Sequence, residues 1–195
     1  MHTLALAAMA GRMDGKEVSP GVFEAARGGD LAAFELLMRQ YERLVLGTAL
    51  RVSGNLPDAQ DVSQEVFLKL YRNLGKVAEP GLTAWLYRVT VNACHDVRRR
   101  RRPETPLEDA GPLAAVGNDP EQAVTAAERR RAVGLSLRML PEKERAAVVL
   151  RDLEGLSTPE VARVLGSSEA TVRSQISKAR VKMRGFVERY CGRRS

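Results

Sequence analysis

Apolar side chains recur along this chain at the three- and four-residue spacing of α-helices, and strand-like alternation is scarce. The first apolar stripe follows Asp30, a residue suited to cap a helix, and continues to about Val52. Two further stripes span about 57–74 and 82–101. The pattern therefore predicts three helices in the first half of the chain.

The second half repeats the helical spacing after an interruption at residues 103–122, which hold four prolines and two glycines without periodicity. Such a segment is typical of a linker. Ser157 and Glu160 form a capping-box pattern, and Gly166 permits a tight turn. Four more helices are expected, at about 121–140, 141–154, 158–165 and 169–189.

These elements predict an all-α protein of two small helical domains joined by a flexible linker. The expected bounds are a flexible tail at 1–26, a first domain at 27–102, the linker at 103–122 and a second domain at 123–192. No apolar run approaches the roughly 20 residues of a membrane helix, so membrane insertion is not expected.

Charge follows the same division. The chain carries a formal net charge of +7, and the segments 1–102 and 123–195 are basic, whereas residues 103–122 hold acidic groups and no basic ones. Two basic segments on either side of an acidic one indicate two modules that face a polyanion. The competing interpretation is an ordinary solvated helix surface.

The cysteines and histidines provide no metal or redox motif. The two cysteines, Cys94 and Cys191, form no CxxC pair, and the only histidines are His2 and His95. We therefore expect no metal or cofactor site and a reducing, cytoplasmic location. No small-molecule substrate is expected either. For Cys94, burial as a small apolar side chain is favoured over a redox role.

The segment from Ser157 to Arg180 has the strongest pattern, a short capped helix, a turn and a second helix, as in a helix-turn-helix. The second helix is expected to point hydrogen-bonding side chains outward, as the major groove of DNA requires. The alternative is a helical hairpin with a polar face. The outward residues are Thr171, Arg173, Ser174, Gln175, Ser177, Lys178 and Arg180.

A second basic face lies on the third helix and leads into five consecutive arginines at 98–102. Such a face is compatible with duplex or single-stranded DNA. For the arginine run, the alternative interpretation is a solvated helix end, and Trp85 is more simply explained as core packing. The residues of this face, at spacings of four, three and four, are Arg88, Asn92, His95 and Arg99.

An acidic face starts the second helix, where Asp58, Asp61 and Glu65 share one side. Carboxylates so arranged can dock a basic protein surface, offset the helix dipole, or serve acid–base or metal chemistry. The first two interpretations are equally supported, and no further metal ligand accompanies these residues.

Three segments closely resemble extracytoplasmic-function (ECF) sigma factors of the sigma-70 family. Residues 58–71, "DAQDVSQEVFLKLY", resemble region 2.2, residues 82–102, "LTAWLYRVTVNACHDVRRRRR", resemble region 2.4, and residues 140–180 resemble region 4. The resemblance covers about 28–190, with the segments in the family's order and spacing. It implies a non-enzymatic factor that directs RNA polymerase to promoters.

The resemblance also implies partners and roles. The helix with Asp58, Asp61, Gln64 and Glu65 is expected to bind the β′ clamp helices of core RNA polymerase, and the β flap is a further expected contact. The 82–102 helix and the preceding loop, including Lys76, are expected to recognise and melt the minus-10 element. The helix-turn-helix is expected to read the minus-35 element, with Arg173, Ser174, Ser177 and Lys178 on the reading face. An anti-sigma factor is an expected partner.

Two other classes of protein remain to be distinguished. A stand-alone helix-turn-helix regulator would bind specific DNA without polymerase, but no dimerisation heptads are visible. A nucleic-acid hydrolase using Asp58, Asp61 and Glu65 would lose its activity on chelation and needs ligands from another element. The sequence departs from the family in a short 75–81 loop and in Gln175, where many relatives carry arginine.

Overall fold

The computed structural model describes residues 20–100 and 120–192, and within these ranges the chain is helical without β-strands, as the sequence predicted. Single 3₁₀ turns at Leu74–Lys76 and Glu79–Gly81 join the third and fourth helices. The helices are α1 Pro20–Arg27, α2 Leu31–Ser53, α3 Leu56–Asn73, α4 Leu82–Arg100, α5 Pro120–Arg138, α6 Glu142–Val148 with a following π-helical turn Val149–Leu153, α7 Thr158–Leu165 and α8 Glu169–Gly192.

Local caps set both ends of α2. The Asp30 carboxylate accepts hydrogen bonds from the backbone N–H groups of Ala32 and Ala33, at 2.9 and 3.1 Å. Gly54 ends the helix in the left-handed region at φ 87°, where its N–H reaches the Leu50 carbonyl. The predicted start at Asp30 and the break after Val52 are confirmed.

Helix α1 corrects the expected tail at 1–26. It packs on α2, and Phe23 and Ala26 are buried between the two helices. Arg27 also donates a hydrogen bond to the Gly75 carbonyl. The apolar side chains of this segment gain a buried site only from α2, so burial, and not the segment's own sequence, orders it. Residues 1–19 lie outside the described part of the chain.

The expected linker at 103–122 falls mostly outside the described residues, which resume at 120. There α5 begins with Pro120, in a first-turn position where the missing N–H is not needed. Residues 120–122, which were expected to belong to the linker, are therefore the first three residues of this helix. The four predicted helices of the second half are confirmed, with ends within a few residues of those expected.

The two helical units share one continuous apolar core. In the first unit α2, α3 and α4 pack together, and in the second α5, α6 and α7 pack on α8. The units meet where α4 packs against α7 and where α2 packs against the π-helical turn. Val91 of α4 and Val161 of α7 are almost completely buried members of this core.

Two buried charged side chains also join the units. The Glu154 side chain is 3% exposed and accepts hydrogen bonds from Arg51, Thr48 and Tyr87, at 2.7, 3.1 and 3.2 Å. Arg145 is 3% exposed and donates to the Val52 carbonyl across the interface at 3.0 Å. Both charges lie in polar sites that offset part of the cost of removing them from water.

Candidate nucleic-acid interface

The turn between α7 and α8 has the geometry of a helix-turn-helix. Ser157 and Glu160 form the predicted capping box at the start of α7. Gly166 ends α7 in the left-handed region at φ 59°. Ser168 then caps α8, because its hydroxyl accepts the Thr171 N–H at 3.2 Å. The capping box and the glycine turn are as the sequence pattern predicted, and the Ser168 cap is a further local contact that the structure adds.

Helix α8 buries one side and exposes the other. Val172, Ile176, Ala179 and Met183 form the buried stripe, as expected. The opposite side is exposed and is the candidate reading face; its predicted members on this surface are Thr171, Arg173, Ser174, Ser177 and Lys178. Arg173 lies at the edge of the face and is ion-paired with Glu169 one turn before it.

Two residues predicted to point outward are corrected by the structure. Gln175 is partly buried, and its side-chain oxygen is enclosed without a hydrogen-bond partner in the described part of the chain. Arg180 turns back to bind Asp152 of the π-helical turn. Both residues border the buried stripe: the Gln175 oxygen is enclosed, whereas the Arg180 side chain stays 41% exposed while its guanidinium binds Asp152.

The exposed side of α8 extends beyond the predicted reading face. Val181 is 68% exposed, and Arg184 is exposed beside it. They follow Ser174 and Ser177 by seven residues each, so they share the same side of the helix. The seven-residue spacing was readable in the sequence, but an exposed valine carries no polar signal.

The candidate face of α4 lies beside the contact with the second unit. Arg88, Asn92 and Arg99 are exposed, and so is Lys76 in the preceding turn. His95 is only partly exposed, with its Nε2 3.4 Å from a carboxylate oxygen of Glu142 in α6. The predicted face is therefore open at three of its four helix positions and adjoins the other unit at His95.

Tyr87 lies next to this face but points into the interface. Burial, together with the nearby Glu154 carboxylate, raises its pKa well above the ordinary value. The phenol therefore stays protonated and donates its hydrogen bond to Glu154. Trp85 is partly buried against the core, in agreement with its interpretation as a packing residue.

The acidic start of α3 is divided between a cap and an exposed surface. Asp58 is buried and accepts a hydrogen bond from the Asn55 side chain at 2.8 Å, so its inclusion in a docking face is corrected. Asp61 and Gln64 are exposed, and Glu65 is partly exposed with Lys69 at 2.7 Å. Over residues 20–100 and 120–192, no group of three or more His, Cys, Asp and Glu side chains is placed to hold a metal ion.

Cys94 lies in the core of the first unit. Burial, with smaller effects of the Asp58 and Glu142 carboxylates, raises the pKa of its thiol to about 12. A thiol held protonated in this way is a poor nucleophile at neutral pH. The expectation that Cys94 is a buried packing residue is confirmed.

The fold and these surfaces define a helical DNA-binding protein with a helix-turn-helix and a separate acidic surface suited to a protein partner. Comparison with protein families gives a more specific result. Residues 37–104 match the family described as Sigma-70 region 2, and residues 130–183 match Sigma-70, region 4. One match falls on each of the two helical units.

Curated relatives are similar in sequence to this protein along most of the chain. The RNA polymerase sigma-H factor of Pseudomonas aeruginosa is 37% identical over 85% of this chain and 91% of its own length. The ECF RNA polymerase sigma-E factor of Escherichia coli is 36% identical over 80% of this chain and 87% of its own. The chain belongs to the sigma-70 family, in its extracytoplasmic-function group.

Solved structures give the same fold. CnrH, in complex with the cytosolic domain of CnrY, is 26% identical with a TM-score of 0.62, over 90% of this chain and 98% of that one. The sigma factor RpoE of Bartonella quintana, in complex with the anti-sigma factor NepR, gives a TM-score of 0.66 at 19% identity, over 80% and 96%. No helix in the described ranges has the length and apolar character needed to cross a membrane.

Proposed function

We infer that this protein is a sigma factor that binds core RNA polymerase and directs promoter-specific initiation. Family membership supports this activity, and the observation that carries the detailed proposal is the exposed polar side of α8 around Ser174, Ser177 and Lys178. A helix-turn-helix alone would also fit a stand-alone regulator, but the region 2 match and the acidic surface on α3 belong to a polymerase-bound factor.

We assign the minus-35 element to α8. Lys178 can contact guanine edges or phosphate, and Ser174 and Ser177 can donate to bases or backbone. Thr171 and Arg173 lie near the helix N-terminus, the part of a recognition helix that enters the major groove. Arg173 must leave Glu169 to contact DNA, so we expect a weaker contribution from Arg173 than from Lys178.

We assign the minus-10 element to α4 and the turn before it. Arg88, Asn92 and Arg99 supply an exposed basic and hydrogen-bonding surface, with Lys76 nearby in sequence. His95 is partly exposed and lies 3.4 Å from Glu142 of the other unit, so we expect its contribution to change when the two units move apart.

We place the polymerase contact on the exposed part of α3, at Asp61, Gln64 and Glu65, which suits a basic surface on the β′ clamp helices. The β flap is a second expected contact. The factor acts by binding and not by catalysis, because promoter selection needs only two correctly spaced DNA contacts. It works in the cytoplasm, where RNA polymerase acts, and we propose an anti-sigma factor as a regulatory partner.

Core binding by Asp61→Arg tests this assignment. The matched control is Glu35→Arg, which makes the same charge change at an exposed position of α2. We expect Asp61→Arg to weaken association with core polymerase at least tenfold and to abolish run-off transcription, and Glu35→Arg to resemble wild type. Equal binding by all three proteins would remove α3 from the polymerase interface. Specific DNA binding without polymerase would instead support a stand-alone regulator.

A further inference from the structure

Helix α6 does not continue regularly to its end. After Val148 it forms one π-helical turn, Val149–Leu153, which contains Asp152. A π-turn holds more residues than an α-turn, so it changes the direction in which the following side chains point. Isolated π-turns of this kind are frequent at functional sites.

The Asp152 carboxylate binds the Arg180 guanidinium with both oxygens. Arg180 Nε lies 2.8 Å from Oδ2, and its terminal nitrogen lies 2.6 Å from Oδ1. The Asp152 side chain is only 11% exposed. A two-point contact of this type fixes orientation as well as distance. The hydrogen bond from Asp152 also raises the pKa of Arg180, in keeping with a guanidinium committed to this partner.

A second ion pair connects α6 to α8 near this contact. Lys182 donates to both oxygens of Glu144, at 2.8 and 2.9 Å, and the Glu144 side chain is 12% exposed. Two acids of α6 thus hold two neighbouring cations of α8. Ser177 and Lys178 lie on the same rigid helix within one turn of Arg180, so any rotation of α8 moves them directly.

We propose that Arg180 does not contact DNA but positions the reading helix through Asp152, which makes Asp152 a specificity-determining residue for the minus-35 element. The inference rests on the proposed assignment of α8 to that element. It replaces the expectation that Arg180 is one of the DNA-binding residues. The bidentate contact sets the rotation of α8, and through it the direction of Ser177 and Lys178 toward the groove.

A double-mutant cycle in reconstituted holoenzyme tests the proposal. Promoter affinity is measured over a range of salt concentrations for Asp152→Asn, Arg180→Gln and the double variant, on DNA with an intact or a scrambled minus-35 element. On DNA with an intact minus-35 element, we expect each single variant to bind roughly tenfold more weakly than wild type. The double variant should bind no more weakly than either single variant. On DNA with a scrambled minus-35 element, all three variants should bind with the same affinity as wild type.

The salt dependence separates positioning from contact. A lost phosphate contact lowers the slope of log affinity against log salt by about one. We expect the slope of Arg180→Gln to equal that of wild type, whereas the control Lys178→Gln should lower it by about one or relax base preference. If Arg180→Gln lowers the slope and Asp152→Asn leaves binding intact, Arg180 contacts DNA and the proposal is wrong.

Arg180→Lys keeps the test informative if Asp152→Asn fails to fold. It retains a positive charge but lacks the planar fork. Positioning predicts a roughly tenfold loss at unchanged slope, whereas a simple phosphate contact predicts near-wild-type binding, which would overturn the proposal. If Lys178→Gln also behaves as wild type while core binding is normal, the assignment of α8 to minus-35 fails, and this inference fails with it.

Discussion

Arg145 illustrates how single side chains hold this protein together. Its guanidinium donates to the carbonyls of Val52, Arg138 and Leu140, at 3.0, 2.7 and 3.0 Å. Burial lowers the pKa of Arg145 to about 10, which still leaves it charged at neutral pH. Its three carbonyl partners offset the cost of burying that charge and connect α2 to the loop between α5 and α6.

The burial of Cys94 leads to a prediction about the reactivity of its thiol. In a Cys191→Ser background, we expect the Cys94 thiol to resist a thiol reagent at pH 8, because only a very small fraction is thiolate when the pKa is about 12. Unfolding in urea should expose the thiol and return its pKa toward 8.5. The rate of labelling should then increase greatly. Labelling is followed by absorbance with and without denaturant. Rapid labelling of the native protein would contradict the burial.

At the scale of elements, α7 and α8 are specified by contacts within a few residues. Ser157 caps α7, Gly166 supplies the positive φ of the turn, and Ser168 caps α8. None of these contacts needs another part of the chain. This explains why the sequence pattern located both helices of the motif.

The capping box predicts a pH-dependent contribution to stability. Hydrogen bonds from Ser157 lower the pKa of Glu160. A lowered carboxylate pKa stabilises the fold above the unfolded value of about 4.3, and this stabilisation is lost as pH falls through the lower, folded pKa.

We therefore expect Ser157→Ala to reduce the free energy of unfolding by about 1 kcal/mol at pH 7, and by less at pH 3. Urea denaturation at both pH values measures the difference. An exposed serine of the other helix, Ser174→Ala, is the control and should change stability little. A loss that is the same at pH 3 and pH 7 would exclude the Glu160 carboxylate from the cap.

At the scale of the whole molecule, the two units are packed together. A compact chain of this length has a radius of gyration of about 16 Å. Promoter elements centred at minus-35 and minus-10 lie about 25 base pairs apart, or roughly 85 Å along straight DNA. If α8 and α4 contact the two elements as proposed, the packed arrangement is too small for both contacts at once, and the units then have to separate on the polymerase.

Glu154 is the residue at which we predict that separation can be controlled. Glu154→Ala removes the hydrogen-bond acceptor of Arg51, Thr48 and Tyr87. We expect the contact between the units to be destabilised by on the order of 2 kcal/mol, a value lowered because the Arg51 side chain is one-third exposed to solvent. We expect a larger radius of gyration by small-angle X-ray scattering. Glu188→Ala, at an exposed site on α8, should leave it unchanged, and an unchanged radius for Glu154→Ala would contradict the prediction.

The sequence by itself determined the helices from α2 to α8, the helix-turn-helix and the family, because helical spacing, caps and turns depend on residues within a few positions of one another. Only the tertiary structure decided that α1 is ordered, that Asp58 is buried, and that Glu154 and Arg180 are committed to partners. Arg180 lies 28 residues from Asp152, and Glu154 lies 103 residues from Arg51. Contacts over such separations arise only when whole helices pack, and no local spacing rule relates their residues.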